Sequence, residues 1–562
     1  MKKHITRLLF AALLLLALCI GASAAGTSGK CGPSAYWSFD SSTGTLTISG
    51  SGAMNDYEYG DYPWMDYRNS IQTIVIGDQI TQIGWNAFPW TACSTIKFGK
   101  NVRSIGERAF NGCRNLNGDL TLPDSVQTIG AGAFQGCEKL SGDLTIPDSV
   151  QTIGDSAFEF CTGLNGTLTL GKNLRTIGKK AFSGCAFTGS LTIPEGITEI
   201  AIGTFSSSRS SGMFTGKLTL PSTLKTIGAS AFSYTDFSGE LLIPDGVTSI
   251  GANAFKECDG FGGTLSLPDS VKTVGEWAFY LCKGFTGLKL SAGLTKIEKL
   301  SFAHMYGLRT EVVIPEGVTE IGESAFSCSY MPSVRLPSTL KKIEKQAFMY
   351  AHNLTKITLP DGLETIGDEA FSGCHPRNAV VLPASIKSIG KKAFDRDGAI
   401  YGNLNEIPVG AYFLGDAPQI VGTGNANCSF PSDWTLYYLP GTSDWTGDTY
   451  EGYQIAPWDG ETRWDNPHTR RFGRDINGNQ IETSWSVNPD TGKITLTDDL
   501  NEGCVVAVSY DAEGRVTGIG VLRTKTDFVI LNLQDTCRLF LLNASSAPRL
   551  NTPVTINDYL PT

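Results

Sequence analysis

The sequence has few of the residues from which catalytic and metal sites are usually built. After residue 24 it contains only four histidines, namely His304, His352, His375 and His468. It contains no His-Glu-x-x-His pair, no phosphate-binding glycine loop and no Gly-x-Ser-x-Gly elbow. We therefore predict that the chain is not an enzyme and has no catalytic, cofactor-binding or metal-binding residue.

Two short patterns come nearest to a metal site, and neither completes one. His352 and His375 each follow a repeat phenylalanine by four residues, but two imidazoles lack the third protein ligand of a zinc site. The segment 475–479 resembles the start of a calcium loop, yet Gln480 stands where that loop needs glycine. We therefore predict a hairpin turn at 475–479 instead of a calcium site.

Long apolar runs are also absent after residue 24, so the sequence predicts no transmembrane segment. Residues 1–24 have the three parts of a signal peptide: basic residues up to Arg7, an apolar run over 8–20, and the small residues Ala22-Ser23-Ala24. The apolar run is too short to cross a bilayer. We expect this segment to be removed on export, which predicts a secreted or cell-surface protein.

Positive charge is in the minority. Loss of residues 1–24 lowers the number of Lys and Arg from 45 to 42 against 55 Asp and Glu, so the net charge changes from −10 to −13. Neutralisation of phosphates by Lys and Arg supplies most of the affinity of proteins that bind nucleic acids. An acidic chain without a basic cluster is therefore not expected to bind nucleic acid.

What the chain has in abundance is a repeat. The pattern Ile-Gly-x-x-Ala-Phe first occurs at 83–88 and returns thirteen times, with 22 to 27 residues between successive closing phenylalanines. A period of that length indicates an array in which each unit covers the apolar face of the next. The closing phenylalanines are Phe88, Phe110, Phe134, Phe158, Phe182, Phe205, Phe232, Phe255, Phe279, Phe302, Phe326, Phe348, Phe371 and Phe394.

The unit at 120–137 indicates the form of one coil. Leu120 and Thr121 begin an alternation that predicts a short strand, with leucines inward and threonine outward. Ile129 is expected to point into the core from the segment that returns from this strand. Phe134 is expected on a short helical turn at the far side of the core.

In its Leu-x-Ile-Pro and Ile-Gly-x-x-Ala-Phe-x-x-Cys segments, the unit resembles the BspA-type leucine-rich repeat over about residues 71–400. The resemblance implies an α/β leucine-rich-repeat solenoid of about fourteen coils, with a parallel β-sheet on one face. Members of this family are bacterial surface or secreted proteins, including proteins of gut Firmicutes, and are often linked to adhesion and host contact. The resemblance thus implies a binding role outside the cell, for a protein or glycan ligand. A self-associating structural component of the cell envelope is the alternative.

Both ends of the array are expected to be capped, because a terminal coil leaves an apolar face open. Residues 25–70 read as an N-terminal cap with a β-hairpin over 37–48, and residues 401–460 as a C-terminal cap. Residues 461–562 lose the repeat and read as a small β-rich accessory domain. Within them, 485–496 aligns without gaps on 37–48, which predicts a second hairpin of the same kind.

The aromatic residues of the N-terminal cap allow two interpretations. They could stack on sugars, or they could be buried against the first coil. Burial is favoured because aromatic side chains contribute most of their stabilisation when buried. The residues concerned are Tyr57, Tyr59, Tyr62, Trp64 and Tyr67.

Thirteen cysteines remain after residue 24, and in an exported protein that number suggests disulfides. Seven of them follow a repeat phenylalanine by three residues, which favours a buried ladder of free thiols instead. Cys504 and Cys537 are a candidate pair in 461–562, and the redox state of Cys31 stays open. The seven ladder cysteines are Cys113, Cys137, Cys161, Cys185, Cys258, Cys282 and Cys374.

The outward strand position of each unit predicts the binding surface. It reads threonine in five successive units and then varies from unit to unit. Threonine suits exposed strands by propensity alone, whereas variation on a rigid scaffold is how solenoids make specific surfaces. We therefore place the ligand on the sheet face of 240–358, with candidate contacts Glu240, Leu242, Lys289, Glu311, Val313, Arg335, Lys356 and Thr358.

Overall fold

The computed structural model describes residues 27–58, 60–207, 212–355, 357–374, 380–395, 410–424 and 426–457, and the backbone of the strands from Arg470 onward. These residues fall into two compact units. The first comprises the described residues up to 374, together with 388–395 and 427–431. The second comprises 380–387, the described residues of 410–426, and those from 432 onward.

Each coil of the first unit has three sides. In one coil these are the strand Leu144–Thr145, the strand Thr152–Ile153, and a series of turns over 154–161 that carries the repeat phenylalanine. We name the sides the leucine ladder, the threonine–isoleucine ladder and the phenylalanine arc. Strands of successive coils pair in parallel on both ladders, so Thr145 lies opposite Thr169 and Ile153 opposite Ile177.

The strands of the leucine ladder are Thr73–Ile76, Thr95–Lys97, Leu144–Thr145, Leu168–Thr169, Leu191–Thr192, Leu218–Thr219, Gly239–Leu242, Phe261–Ser266, Phe285–Lys289, Val312–Val313 and Val334–Arg335. Those of the threonine–isoleucine ladder are Gly52–Ala53, Ile80–Ile83, Ser104–Ile105, Thr128–Ile129, Thr152–Ile153, Thr176–Ile177, Glu199–Ile200, Thr226–Ile227, Ser249–Ile250, Thr273–Val274, Lys296–Ile297, Glu320–Ile321, Lys342–Ile343, Thr365–Ile366 and Ser388–Ile389. Most of these strands are two residues long, with one residue buried and the other turned outward.

The leucine-rich-repeat solenoid is confirmed, with two corrections inside the coil. The expectation of a parallel sheet on one face is incomplete, because the return segment forms a second ladder. Thr128 and Ile129 alternate outward and inward, and both are β-branched residues that suit a strand. The helical turn expected at Phe134 is absent, and the only helix among the described residues is the 3₁₀ turn Met65–Tyr67. The described coils therefore contain strands and turns without the α part of the expected α/β class.

The phenylalanine arc is not an α-helix because every second N–H group of its backbone donates to the next coil, while those between them, such as Ala133 to Gly130 at 3.2 Å, close single turns within the arc. The N–H groups of Gly132, Phe134 and Gly136 each donate to a carbonyl of the following coil, all at 2.8 Å. Gly132 and Gly136 have φ values of 59° and 71°, which lie in the left-handed region and interrupt any right-handed helix. In every such arc the N–H donors face the following coil and the carbonyl acceptors face the preceding one.

The repeat phenylalanines form one continuous stack in the core of the first unit. Neighbouring rings lie 5.2 to 5.7 Å apart between centroids, with interplanar angles of 2° to 22°. Trp64 precedes Phe88 in this stack, and Phe430 follows Phe394. Every coil is therefore joined to its neighbours by an aromatic contact as well as by backbone hydrogen bonds.

At the N-terminal end, side chains and backbone of residues 27–70 satisfy the carbonyl groups that the first arc leaves open. The Trp64 indole N–H donates to the Ala87 carbonyl at 2.8 Å, and the Tyr57 backbone N–H donates to the Trp85 carbonyl at 3.1 Å. The Tyr62 hydroxyl donates to a third carbonyl of the same arc at 3.3 Å. Trp64 is fully buried, which fits a role in covering the first coil.

The hairpin expected over 37–48 is present. The strands Ala35–Asp40 and Thr45–Gly50 pair antiparallel, with Trp37 opposite Ile48. The strand Ser28–Lys30 pairs with the first of them, and Thr45–Gly50 pairs in parallel with Thr73–Ile76 at the start of the leucine ladder.

The ladder cysteines are free and buried, as predicted. Each thiol donates to the carbonyl of the preceding coil's repeat phenylalanine. Cys137 contacts the Phe110 carbonyl at 3.2 Å, and Cys161 contacts the Phe134 carbonyl at 3.1 Å. Ser329 makes the same bond to Phe302 with its hydroxyl at 2.9 Å. A small side chain with one donor therefore suits this position.

We expect thiol reagents to leave the ladder cysteines unlabelled in the native protein and to label them after denaturation. Burial raises the pKa of Cys161, Cys258 and Cys374 to about 12, so the reactive thiolate is scarce even at pH 9. Mass spectrometry of the peptides that carry these residues measures the labelling. Stoichiometric labelling of Cys161 in the folded protein, or none after denaturation, would contradict a buried free ladder.

The second unit begins with a parallel sheet. Its strands Val380–Leu382, Gly410–Phe413, Thr435–Tyr438 and Tyr453–Pro457 pair in that order, and Thr449–Tyr450 forms a hairpin with the last. Trp445 is buried in this unit and donates its indole N–H to the Gly415 carbonyl at 3.1 Å.

Antiparallel strands follow in the rest of the second unit. Trp485 lies opposite Leu496, which is the register of Trp37 and Ile48, so the prediction of two hairpins of one kind is confirmed. The strands are Arg470–Arg474, Gln480–Thr483, Trp485–Asn488, Lys493–Leu496, Cys504–Tyr510, Val516–Leu522, Phe528–Ile530, Thr536–Leu542 and Val554–Thr555.

The candidate disulfide between Cys504 and Cys537 is wrong for this fold. Their strands are neighbours, but Cys504 lies opposite Leu542 and Cys537 lies opposite Ser509. The two cysteines are therefore five strand positions apart, roughly 17 Å along the strand, whereas the Cα atoms of a disulfide lie within about 7 Å of each other.

Candidate binding surface

Five paired strands of the leucine ladder present the row of outward side chains on which the sequence placed the ligand. Leu242 lies opposite Ser266, Ser266 opposite Lys289, Lys289 opposite Val313, and Val313 opposite Arg335. All five side chains are exposed. Leu242 and Val313 are 67% and 44% exposed, which is high for apolar residues of this size. The structure therefore brings four of the predicted contact residues into one continuous row.

The strands are longest where this row begins. Gly239–Leu242, Phe261–Ser266 and Phe285–Lys289 have four, six and five residues, against two in Leu144–Thr145. Phe261 and Phe285 start two of them and are buried in a second aromatic column, with ring centroids 6.1 Å apart. These large inward side chains add a second buried position to each strand, besides Leu265 and Leu288.

The pairing of these long strands is irregular, and the irregularity shapes the surface. The register shifts between Glu240 and Leu242, and again between Gly263 and Thr264. A shift of this kind bends a strand and changes the direction of its side chains. The outward surface is therefore uneven here.

A groove of about 520 Å³ opens at this irregular part of the ladder. Its walls include Glu240, Leu242 and Lys289 from the predicted contacts. Asp245 and Asp269 also line it, and each follows the proline that ends a strand. The groove thus combines an exposed leucine with three carboxylates and one ammonium group, which favours an apolar ligand group flanked by positive charge.

The remaining predicted contacts lie outside the groove. Glu311 and Arg335 form an exposed ion pair at 3.0 Å. Glu311 precedes the strand Val312–Val313, and Arg335 lies opposite Val313 on the next strand. Thr358 is exposed but belongs to no described strand, and Lys356 lies outside the described residues. The structure therefore groups three predicted residues in the groove and three beside it, and it does not join Thr358 to either group.

The sequence prediction includes one acidic residue of the groove, Glu240, and misses the other two. Asp245 and Asp269 follow the strands, whereas the prediction rests on the outward strand position and on the residue before the first core position of each strand. The signal was present in the repeated Pro-Asp pair that ends these two strands.

The threonine strands form two separate pairs, Leu144–Thr145 with Leu168–Thr169 and Leu191–Thr192 with Leu218–Thr219. A second concavity, of about 440 Å³, lies at the residues that directly precede strands of the threonine–isoleucine ladder. It is lined by Gln127, Asp148, Ser149, Gln151, Asn173 and Arg175.

The described residues contain no group of three or more His, Cys, Asp or Glu side chains that could hold a metal ion. His352 contacts the Gly373 carbonyl through Nδ1 at 2.9 Å, while His375, His468 and the segment 475–479 lie outside the described side chains. Among the described residues, no helix combines the length and apolar character needed to cross a membrane.

The repeat matches that of a known protein family. The family model that describes the BspA type leucine rich repeat region matches residues 65–142, 142–261, 210–330 and 263–377 in six copies. A comparison with curated proteins gives no significant match.

Among solved structures, the chain is similar to a leucine-rich repeat protein from Bacteroides ovatus, with 22% identity and a TM-score of 0.49 over 72% of this chain and 98% of that one. It is similar to one from Eubacterium ventriosum, with 23% identity and a TM-score of 0.37 over 62% and 95%. A leucine rich cell surface protein from Faecalibacterium prausnitzii gives 23% identity and a TM-score of 0.35 over 66% and 95%.

Proposed function

The chain belongs to the BspA-type leucine-rich-repeat family, and from that premise we propose that it is a binding protein of the cell exterior. The proposed ligand is a protein, held on the leucine ladder between Gly239 and Arg335. Residues 1–24 would serve as the signal peptide that exports it. No catalytic step is part of this function.

The observation that carries the proposal is the uneven, non-repeating row that begins at the groove. Paired strands fix Leu242, Lys289 and Arg335 in register, so little side-chain positioning has to be arranged when a ligand arrives. An exposed leucine inside a charged groove matches the apolar centre and polar rim of protein interfaces. The complementary ligand is a segment with an apolar side chain, a lysine or arginine that faces the carboxylates of the groove, and acidic groups that face Lys289 and Arg335.

We expect the double change Lys289→Glu and Arg335→Glu to lower ligand affinity at least about tenfold without unfolding the protein. Both side chains are exposed, and an exposed ion pair such as Glu311–Arg335 stabilises a fold by at most about 1 kcal/mol. The mature chain captures its ligand from extracts of envelope and host proteins, and the captured ligand is then titrated against both forms. The thermal unfolding midpoint checks the fold.

A matched control is available nearer the N-terminal end of the leucine ladder. Lys97→Glu and Lys172→Glu also reverse two exposed positive charges, and Lys172 forms a comparable ion pair with Asp148 at 2.8 Å. This variant should bind as the native chain does. Equal capture by both double variants would count against the proposed surface. Binding that survives both changes and disappears on deletion of 461–562 would assign the ligand to the C-terminal residues.

The exposed Leu242 and Val313 favour one other function, a self-associating envelope component. Sedimentation over a range of concentrations separates the two. A monomer at all concentrations supports the binding protein, whereas assembly that disappears in Leu242→Ser with Val313→Ser supports the structural component.

A further inference from the structure

A cluster of part-exposed aromatic side chains lies on the phenylalanine arc, and it plays no part in the proposed function. Between the coils that contain Phe232 and Phe326, aromatic side chains stand on the outer side of the arc. All are part-exposed, and successive rings are in contact from Trp277 to Tyr330, while Tyr234 is joined to Trp277 through the ammonium group of Lys256. We name this the aromatic ribbon, and its members are Tyr234, Trp277, Tyr280, His304, Tyr306 and Tyr330.

From Tyr280 onward the rings of the ribbon meet edge to face, unlike the parallel rings of the core, and Trp277 is tilted by 57° against Tyr280 at 4.6 Å. Tyr280 and His304 are 5.1 Å apart at 71°, and Tyr306 and Tyr330 are 5.4 Å apart at 65°. In a parallel stack each ring covers the face of the next. In an edge-to-face contact the ring that presents its edge keeps its own faces uncovered. The ribbon therefore offers aromatic faces as well as edges.

Folding does not require aromatic residues at these positions. Tyr234, Trp277 and His304 have φ values of 62°, 61° and 59°, in the left-handed region that favours glycine. Glycine occupies the equivalent positions in other coils, for example Gly132 and Gly136. Other side chains also stand there with a positive φ, for example Arg108 and Lys180, so the backbone of the arc does not select aromatic residues.

The ribbon has balanced charge. The ammonium group of Lys256 lies over the rings of Tyr234, Trp277 and Tyr280 at 5.0 to 5.7 Å. Lys283 and Asp259 form an ion pair at 2.6 Å beside it. Burial, together with the nearby positive charge of Lys283, lowers the pKa of His304, so its imidazole is neutral at neutral pH. A surface of this kind favours an uncharged ligand over a strongly anionic or cationic one.

We propose that the aromatic ribbon binds a neutral saccharide chain. The C–H faces of pyranose rings pack on Trp277 and Tyr280, on the sides of these rings that Lys256 does not cover. The hydroxyl of Tyr306 and the imidazole of His304, whose Nδ1 lies 2.6 Å from that hydroxyl, supply hydrogen bonds to sugar hydroxyls. The rings from Trp277 to Tyr330 extend over three successive coils, so they can contact more than one sugar of a chain.

The test uses the whole mature chain and neutral oligosaccharides. Saturation-transfer NMR with cello-, chito-, xylo-, manno- and malto-hexaose identifies the sugar, and titration calorimetry measures its affinity. We expect at least one of these to bind, and sulfated heparin oligosaccharide to bind no better. Trp277→Asn with His304→Asn should weaken binding at least tenfold, and asparagine is chosen because it tolerates the left-handed region.

Phe160→Asn is the matched control. Phe160 is an exposed aromatic residue with a φ of 60° in another coil, outside the ribbon. Its variant should bind the sugar as the native chain does, and so should Lys289→Glu with Arg335→Glu, which separates this site from the leucine ladder. No transfer to any neutral hexaose overturns the proposal. Equal affinity in the folded Trp277 and His304 variant, or capture of a protein alone through the ribbon, overturns it as well.

Discussion

We expect Phe158→Ala to lower the free energy of unfolding by about 3–5 kcal/mol. Phe158 is fully buried, and its ring lies between those of Phe134 and Phe182 at centroid distances of 5.2 and 5.4 Å. Alanine removes both contacts and leaves a cavity that the two neighbouring rings cannot close, because each is held by the next ring of the stack. Urea unfolding measures the change.

The damage should extend beyond one coil. Stability in a repeat array depends on nearest-neighbour interfaces, so the coils of Phe134 and Phe182 lose protection together with that of Phe158. Hydrogen exchange followed by mass spectrometry reports each coil separately. Faster exchange restricted to the mutated coil would contradict a continuous core.

Phe160 provides the control within the same coil. It lies two residues after Phe158 but is 54% exposed and has a φ of 60°. Phe160→Asn removes an aromatic ring of equal size without opening the core. We expect the free energy of unfolding to change by about 0.5 kcal/mol or less.

The second large effect is expected at the N-terminal end of the stack. Trp64→Ala should lower the free energy of unfolding by about 3–5 kcal/mol, because it removes a fully buried ring that stacks on Phe88 at a centroid distance of 5.2 Å. It also removes the indole N–H that donates to the Ala87 carbonyl at 2.8 Å. Denaturant unfolding of the whole chain is again the measurement.

Trp64→Phe separates these two contributions. Phenylalanine keeps a ring against Phe88 but has no donor, so the buried Ala87 carbonyl loses its partner. An unsatisfied buried polar group costs about 1–3 kcal/mol. We expect the order native, Trp64→Phe, Trp64→Ala in decreasing stability. A phenylalanine variant as stable as the native chain would remove the hydrogen bond from the explanation of the cap. Trp85→Ala, at a tryptophan that is 53% exposed, is the control.

The repeat was predictable because its spacing is nearly constant. One coil fits into 22 to 27 residues, and each closing phenylalanine found by spacing from Phe88 to Phe394 lies in the stack. Phe430 was missed for the same reason. It follows Phe394 by 36 residues and lacks the Ile-Gly-x-x-Ala pattern, so only its ring contact at 5.3 Å identifies it.

The details of the coil were harder to predict because they depend on contacts between coils. A two-residue strand such as Thr128–Ile129 is too short to show a period, and its pairing with Thr152–Ile153 becomes visible only in the assembled ladder. The turns around Phe134 likewise follow from hydrogen bonds to the next coil, which no single unit contains.

The sequence was sufficient to predict which residues of the candidate site face outward, but it was not sufficient to predict the groove that they form. The alternation of one strand indicates that Leu242 and Lys289 face outward, and both are exposed. The groove between them depends on register shifts at Glu240 and Gly263, which arise from neighbouring strands of unequal length. The aromatic ribbon was missed because its six members are spread over four positions of the repeat, so no single position shows them together.

The one-way hydrogen bonding of the phenylalanine arc has an evolutionary consequence. Each arc receives N–H donors from the coil before it and offers N–H donors to the coil after it, so any coil can follow any other. Gene duplication can therefore add or remove whole coils without altering what either end must supply. The first end always needs donors, as Trp64 and Tyr62 provide, and the last needs acceptors, as the Cys428 and Ser429 carbonyls provide. The two terminal segments therefore cannot be exchanged, because one supplies hydrogen-bond donors and the other supplies acceptors.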